Sequence, residues 1–308
     1  MQPAFSVIFL TVLIGAGQGL FLALFGCELA GFGNAPEQRL TLGLGAAVAL
    51  VFTGLGLVAS FFHLGHPERA WRAAAMWRTS WLSREVIALP AFMACCAAWG
   101  VAHLLAWPGT RVIGAVAALA CLLLFVCTGM VYASIRFLQE WASPLTLVNY
   151  LLIGCASGTT LAALLASLRA PAIAPTLALA ALVLTLAALA GRAASLVRNA
   201  GLRPRSTLQS AIGIKHPVIR QRAQGFMGSS FNTREFFHGA GAGTLRGVKW
   251  FFLAAGFVLP AALLALGSGV PSLLLLAAVV QFAGLLAERW FFFAQANHPQ
   301  NLYYQAIS

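Results

Sequence analysis

The chain has 308 residues, of which 60% are hydrophobic and only 8% are charged, and its formal net charge is +12. Apolar runs of about 20 residues or more recur along it, and each is long enough to cross ~30 Å of hydrocarbon. This composition excludes a soluble globular domain and predicts an all-α, polytopic integral membrane protein. A basic surface is expected of a bundle that faces anionic lipid headgroups, so nucleic acid is not an expected partner.

Eight transmembrane helices are predicted along the chain. They lie at residues 5–32, 40–62, 86–107, 112–136, 146–168, 175–197, 248–267 and 271–293. Together they form a single transmembrane domain over residues 1–308, with a basic loop at about 198–247. The first span begins close to Met1 and lacks a small-residue cleavage site, so we expect it to be a retained helix and not a removed signal peptide.

The Lys and Arg residues are divided unequally between the two sides of the membrane. An even number of spans puts both termini on one side, and the opposite side receives three of the 19 basic residues, namely Arg39, Arg111 and Arg169. The remaining sixteen lie on the side of the termini: Arg69, Arg72, Arg78, Arg84, Arg136, Arg192, Arg198, Arg203, Arg205, Lys215, Arg220, Arg222, Arg234, Arg246, Lys249 and Arg289. Because Lys and Arg near span ends are retained in the cytoplasm, both termini are expected to be cytoplasmic.

The loop between the second and third spans concentrates polar residues. Pro67 disfavours helix at His66, so the second helix should end near His63. Ser83 is a candidate N-cap for the third helix. This arrangement predicts that His63 and Glu85 lie at the same membrane depth, at the mouths of adjacent helices.

His63 and Glu85 are candidates for a quinone site. A quinone needs an apolar slot for its ring and tail, together with groups that hydrogen-bond its oxygens and exchange protons. An imidazole titrates near neutral pH, and a half-buried carboxyl at a helix start can relay protons. A purely structural interpretation stays open, in which Glu85 complements the positive end of its helix and the nearby tryptophans form an interfacial belt.

The connection at 192–249 is basic and longer than a minimal link between two spans, which favours a use for it. Two interpretations are open. The connection either docks a cytoplasmic partner, with Arg220, Arg222, Arg234 and His238 as candidate contacts, or it binds anionic lipid headgroups.

Other polar and small residues carry weaker signals. Gln18 and Gln281 are expected to bridge helices, Glu28 and His103 to lie toward the far face, and Gly15 with Gly19 to permit close helix packing. The histidines are peripheral on this threading and the six cysteines lack metal-ligand spacing, so neither a metal site nor haem is expected. A secondary transporter would carry ionisable groups near the membrane midplane or repeated halves, and the sequence shows neither.

Three segments resemble the anchor subunit of the dimethyl sulfoxide reductase family, and the similarity in span count covers nearly the whole chain. They are Phe62-His63-Leu64-Gly65, Leu82-Ser83-Arg84-Glu85-Val86 and Ala287-Glu288-Arg289-Trp290. That family has eight transmembrane helices, holds a molybdopterin catalytic subunit and a four-cluster iron–sulfur subunit to the membrane, and exchanges electrons with the quinone pool. The resemblance implies that molybdopterin and iron–sulfur clusters reside in the partners only.

The resemblance also assigns a quinone site to this chain. It implies that His63 and Glu85 contact ubiquinone or menaquinone, and proximity adds four residues that would shape the pocket: His66, Arg69, Trp71 and Arg84. His66 departs from the family pattern, in which a small residue is expected, so it would share or alter the role of His63.

Within the family, residues 228–236 and the tail from Phe293 to Tyr304 look most like the anchor of cytoplasmic sulfite-oxidising enzymes. The implied function is to pass electrons from sulfite oxidation to quinone in a bacterial inner membrane, with the partners on the cytoplasmic face. The expected cytoplasmic termini agree with that arrangement. A quinol-oxidising anchor of a dimethyl sulfoxide reductase-type complex, a scaffold without its own quinone pocket and a secondary transporter are the alternatives.

Overall fold

The computed structural model describes residues 5–203, 205, 207–220 and 242–296. Its helices are α1 Phe5–Leu29, α2 Pro36–Phe61, α3 Trp81–Leu104, α4 Thr110–Ala133, α5 Pro144–Arg169, α6 Ala174–Ala200, α7 Leu208–Ile212, α8 Ala242–Leu253, α9 Leu259–Leu266 and α10 Pro271–Ala294. A 3-10 helix at Pro67–Met76 lies between α2 and α3. No strand occurs in the described ranges, so the predicted all-α class is confirmed.

Eight helical segments are long and apolar enough to span a membrane, which confirms the predicted number. The seventh, Gly243–Leu266, combines α8 and α9. Because successive spans alternate in direction, α1 begins and α10 ends at the same end of the bundle, which we call the terminal end. The compartment that each end faces stays a prediction.

Helix α1 lies at the centre of the bundle and packs against α2, α4, α5 and α10. Its approach to α5 is close because glycines face each other. A Cβ atom at Gly158 would overlap the backbone of Gly19 and Leu20, and one at Gly15 would touch Gly154. The predicted close packing at Gly15 and Gly19 is therefore confirmed. It increases the dispersion contacts between two spans, which matters because the hydrophobic effect does not drive helices together inside a bilayer.

The seventh span contains a π-helical segment at Ala254–Val258 between α8 and α9. Pro260 follows it, and a proline has no N–H to donate to the carbonyl four residues earlier. The wider π turn accommodates that missing hydrogen bond within a continuous span. Gly256 in this segment packs directly against Gly284 of α10.

The start of α3 differs from the prediction. Ser80 is the N-cap, and its side chain accepts a hydrogen bond of 3.3 Å from the Ser83 amide. The predicted N-cap at Ser83 is therefore wrong, because α3 begins at Trp81, about five residues earlier than expected. Glu85, which was expected in the first residues of α3, therefore lies one turn inside the helix. Helix α2 ends at Phe61, which confirms a helix end close to His63.

Two of the basic residues assigned to the loops at the terminal end lie inside the bundle. Arg192 is 2% exposed on α6, and Arg289 is 3% exposed on α10. Their guanidinium groups do not face solvent or headgroups, so they do not contribute to a basic surface. Charged side chains buried between spans are costly and are usually retained for function.

Replacing Gly158 by Ala should destabilise the bundle, because the added methyl group would force α1 and α5 apart. Overpacking of this kind costs about 1–3 kcal/mol. Thermal unfolding in detergent should show a lowered melting temperature. The matched control is Gly26→Ala in α1, where nothing lies within 4 Å of the added Cβ atom. An unchanged melting temperature for Gly158→Ala would show that the interface is looser than the structure indicates.

Candidate functional site

A narrow cavity lies in the terminal half of the bundle, where α3, α4, α5 and α10 meet α1. The space inside it that the centre of a water-sized molecule can reach is about 20 Å³, which is room for a water molecule and not for a ring unless the wall opens. The lining residues are Leu10, Thr11, Val12, Ile14, Gly15 and Gln18 of α1, Glu85 of α3, Phe125 and Thr128 of α4, Tyr150, Ile153, Gly154 and Ser157 of α5, and Leu285 and Arg289 of α10. A mostly apolar wall with a few polar groups is typical of a small-molecule site.

Glu85 provides the carboxyl group of this cavity. It lies in the first turns of α3 and is partly buried. Its Oε1 accepts a hydrogen bond of 2.6 Å from the Thr128 hydroxyl on α4. This bond fixes the orientation of the carboxyl group, so that it can hold a proton close to a molecule bound in the cavity.

Several other polar groups on the wall are already engaged. The hydroxyls of Thr11 and Ser157 donate to backbone carbonyls one turn earlier in their own helices. The Gln18 side-chain amide donates to the Cys121 carbonyl of α4 at 2.9 Å, which confirms that it bridges two helices. These donors hold the wall together and are not available to a ligand.

Arg289 and Tyr150 form the cationic part of the cavity. The guanidinium carbon of Arg289 lies 4.0 Å from the centroid of the Tyr150 ring, a cation–π contact. The two residues are 3% and 4% exposed. Within the described ranges, neither the Tyr150 hydroxyl nor Arg289 Nε makes a hydrogen bond of good geometry. Arg289 Nε faces Glu288 Oε2 at 3.6 Å, beyond hydrogen-bond distance, so the Tyr150 hydroxyl is the unpaired donor of the two that a molecule in the cavity could use.

A buried ion pair lies directly behind Arg289. Arg192 Nε is 2.7 Å from Glu288 Oε1, and both side chains are 2% exposed. Arg289 Nε is 3.6 Å from the other oxygen of Glu288. Two guanidinium groups therefore share one carboxylate, and the three side chains carry one positive charge in excess.

An aromatic group surrounds Tyr150 and limits its movement. Tyr132 of α4 stacks on Tyr150 with ring centroids 5.6 Å apart. Trp141, in the loop after α4, stacks on Phe292 and donates its indole N–H to the Phe292 carbonyl at 2.9 Å. These rings connect α4, α5 and α10, so they fix the relative positions of Tyr150 and Arg289.

Of the six residues predicted to form a quinone site, Glu85 lines the cavity and the other five do not. His63, His66, Arg69 and Trp71 are exposed in the segment between α2 and α3, and Arg84 is partly exposed at the start of α3. The structure therefore does not bring His63 into the cavity with Glu85, because α2 ends before His63 and α3 begins well before Glu85. Quinone binding by these residues stays a prediction.

The loop that carries His63 is attached to α3 by Arg84. The Arg84 guanidinium donates to the carbonyls of Trp77 and Arg78 at 2.8 and 2.7 Å, and it lies 4.2 Å from the Trp81 ring centroid. Partial burial lowers the pKa of His63 below its ordinary value. The imidazole is therefore neutral at neutral pH, and a neutral imidazole can both accept and donate a proton.

The predicted docking residues fall largely outside the described part of the chain. Arg220 is exposed, whereas Arg222, Arg234 and His238 lie outside the described residues. Arg198 holds the start of this connection, since its guanidinium donates to the carbonyls of Gln139 and Ala142 at 3.1 and 3.3 Å. The docking role stays a prediction.

The sequence did not identify Thr128, Tyr150 and Arg289 as residues of one site. Arg289 had a usable signal, because adjacent charges at Glu288 and Arg289 within an apolar span indicate function. The count of basic residues assigned Arg289 to the membrane surface instead. Thr128 and Tyr150 carried no signal, since only the packing of α4 and α5 brings them to the cavity.

A second buried polar group lies at the opposite end of the bundle, where Glu28 and His103 were expected. The Glu28 carboxylate accepts hydrogen bonds from Trp99 Nε1 at 2.7 Å and from the Thr110 hydroxyl. His103 Nε2 lies 3.4 Å from the same carboxylate, and both side chains are buried. These contacts tie α1, α3 and α4 together.

Comparison with known proteins agrees with this architecture. The sequence pattern of the family described as DMSO reductase anchor subunit (DmsC) matches residues 1–294. The chain is also 50% identical to a sulfite dehydrogenase subunit of Allochromatium vinosum, and the similarity covers 100% of both chains.

Replacing Trp99 by Phe should destabilise the opposite end of the bundle, because it removes a donor from the buried Glu28 carboxylate. Such an unsatisfied buried acceptor costs about 1–3 kcal/mol. The check is the melting temperature in detergent, with Trp107→Phe as the control at a ring that is 52% exposed. Equal melting temperatures for the two variants would contradict a stabilising role for the Glu28 contacts.

Proposed function

This chain belongs to the family of DMSO reductase anchor subunits, and from that premise we propose that it anchors a sulfite-oxidising complex to a bacterial inner membrane and reduces quinone. The partners are a molybdopterin subunit and a four-cluster iron–sulfur subunit on the cytoplasmic face. The name of the relative, a sulfite dehydrogenase subunit at 50% identity over both full chains, supports sulfite as the electron source.

The observation that carries the proposal is the cavity at the terminal end, with its carboxyl group and the Tyr150 hydroxyl. An apolar wall suits a quinone ring, and Glu85, Tyr150 and Arg289 offer the few polar groups that such a ring needs. The cavity is narrow in its present shape, so entry of a ring requires side chains on the wall, such as Phe125, to move.

The proposed reaction balances protons and electrons within one compartment. Oxidation of sulfite by water gives sulfate, two electrons and two protons. A quinone, when bound, takes up two electrons and two protons to become a quinol. Glu85 supplies a proton to the ring, and it is replenished from the water at the start of α3.

His63 has a different place in this proposal from the one the sequence indicated. Its position outside the cavity makes a direct contact with a ring carbonyl unsuitable in this conformation. Its imidazole is exposed between α2 and α3, and its pKa is lowered by partial burial, so it is suited to exchanging protons with water. His63 is therefore a proton carrier at the terminal end.

The middle of the bundle supports a reaction on one side of the membrane. Between the cavity and the Glu28 contacts, the interior is filled by the buried side chains of Phe21, Leu24, Phe92 and Leu124. Phe21 and Phe92 pack edge to face with centroids 5.5 Å apart. Since both half-reactions then exchange protons with the cytoplasm, quinone reduction is electroneutral.

Purification of the chain from its native host in mild detergent should recover a molybdopterin subunit and an iron–sulfur subunit with sulfite-dependent quinone reduction. In that complex, Glu85→Gln should lower the rate of quinone reduction at least about tenfold, because a general acid is lost. His63→Ala should lower it less. Steady-state assays with a short-chain quinone measure both effects.

Electron transfer from sulfite to a soluble dye is the control, and it should be unchanged in both variants because it bypasses the cavity. Glu28→Gln is the matched variant, since it removes a buried carboxylate at the opposite end. Full quinone activity in Glu85→Gln would place the site elsewhere, and recovery of the chain without redox partners would contradict the anchor role.

Reconstitution of the complex into sealed vesicles tests the electroneutral reaction. Sulfite added outside should drive quinone reduction without generating a membrane potential or a transmembrane pH difference, because protons are released and consumed on one side. A potential-sensitive dye and a trapped pH indicator report the two quantities. An uncoupler-sensitive signal that depends on sulfite would contradict this expectation.

A further inference from the structure

We propose that Arg289 and Tyr150 form a subsite for one oxygen of the quinone ring, and that Glu288 and Arg192 position Arg289. The subsite rests on the proposed function. In that function Glu85 supplies the proton, and the subsite adds the residues that bind the ring. Arg289 and Tyr150 line the cavity that Glu85 also lines.

Arg289 and Tyr150 have unfilled hydrogen-bonding capacity. Both side chains are more than nine-tenths buried, both line the cavity, and neither the Tyr150 hydroxyl nor Arg289 Nε has a hydrogen bond of good geometry among the described residues. Leaving a buried donor unpaired is costly, and a charged donor more so. A carbonyl oxygen beside the Tyr150 hydroxyl would accept a hydrogen bond from it, next to the positive charge of Arg289.

The charges around Glu288 also favour an oxygen ligand next to Arg289. Arg192 lies 2.7 Å from Glu288, whereas Arg289 lies 3.6 Å from it, so Arg192 is the main partner of that carboxylate. The positive charge of Arg289 is consequently the one in excess. In a low-dielectric interior, such a charge favours binding of an electron-rich oxygen.

The side chains of Arg289 and Arg192 are held in place by aromatic rings. Arg289 is held against the faces of Tyr150 and Phe292, at 4.0 and 5.3 Å from the ring centroids. Arg192 is held in turn between Phe252 and Phe291. A guanidinium fixed in this way binds a ligand without losing further side-chain entropy.

The chemistry of the groups separates their roles. An Arg side chain stays protonated in proteins, so Arg289 binds the ring oxygen and does not give up a proton. Glu85 exchanges its proton. Loss of Arg289 should therefore raise KM for quinone, whereas loss of Glu85 should lower kcat and change the dependence of kcat on pH.

The experiment is steady-state kinetics of the purified complex with a short-chain quinone. Arg289→Gln should raise KM about tenfold or more, because the positive charge next to the ring oxygen is lost, with little change in kcat. Arg289→Lys should lie between Arg289→Gln and the natural protein, since a point charge replaces the fork of donors. Glu288→Gln should raise KM by a smaller factor, and the pH profile should stay unchanged in all three variants.

Arg198→Gln is the matched control, because it removes a guanidinium from the same end of the bundle without touching the cavity. Sulfite-to-dye activity verifies assembly, and if Arg289→Gln does not assemble, Arg289→Lys decides by the same measurement. An unchanged KM, or a fall in kcat alone, would overturn the subsite. If Glu85→Gln is impaired in the same assay the proposed function stands, whereas full activity in both sets of variants would overturn that as well.

Discussion

Polar side chains between the spans have to find partners inside the bundle, because the hydrocarbon around them offers none. The Glu288 carboxylate satisfies this constraint for two buried guanidinium groups, those of Arg192 and Arg289. It connects α6 with α10 at the terminal end, and the rings of Tyr150 and Phe292 enclose the second guanidinium. The cavity lies next to this group. Tyr150 and Arg289 line it, and among the described residues the Tyr150 hydroxyl and Arg289 Nε have no hydrogen-bond partner.

The two ends of the bundle satisfy the same constraint in different ways. At the opposite end, Trp99 and Thr110 donate to Glu28, so both carboxylate oxygens have partners and the group acts as a tie. At the terminal end, Glu85 has Thr128 as its partner and shares a cavity with Tyr150 and Arg289. Among the described residues, buried polar atoms without a hydrogen bond occur at both ends, since His103 Nε2 also lacks one, and the cavity lies at the terminal end. Family membership and the full-length similarity to a sulfite dehydrogenase subunit then support quinone as the ligand of this cavity.

Much of the fold was predictable from the sequence, because apolar runs of span length have only one structural solution in a bilayer. The eight spans, the end of α2 near His63, the Gln18 bridge and the glycine contacts between α1 and α5 all followed from local patterns. Helix starts were harder. Ser80 and Ser83 are equally good caps by composition, and the choice of Ser83 placed Glu85 about one turn too close to the start of α3.

The site was only partly predictable for a related reason. Glu85 was found because acidic residues are rare in this chain, but its neighbours come from four other helices that are distant in sequence. His63 was paired with Glu85 because both were expected at the same membrane depth at the mouths of adjacent helices, but of the two only Glu85 lines the cavity. Arg192 and Arg289 were assigned to the surface because a count of basic residues treats every charge near a span end as exposed.

The most direct test of the account is to locate a bound quinone on the assembled complex. A photoreactive short-chain quinone analogue is activated by light in the membrane, and the modified peptides are identified by mass spectrometry. The account predicts modification of residues that line the cavity, such as Ile153 and Leu285, with protection by excess natural quinone. Modification confined to the loop that carries His63 and Trp71, or modification that excess quinone does not reduce, would contradict it.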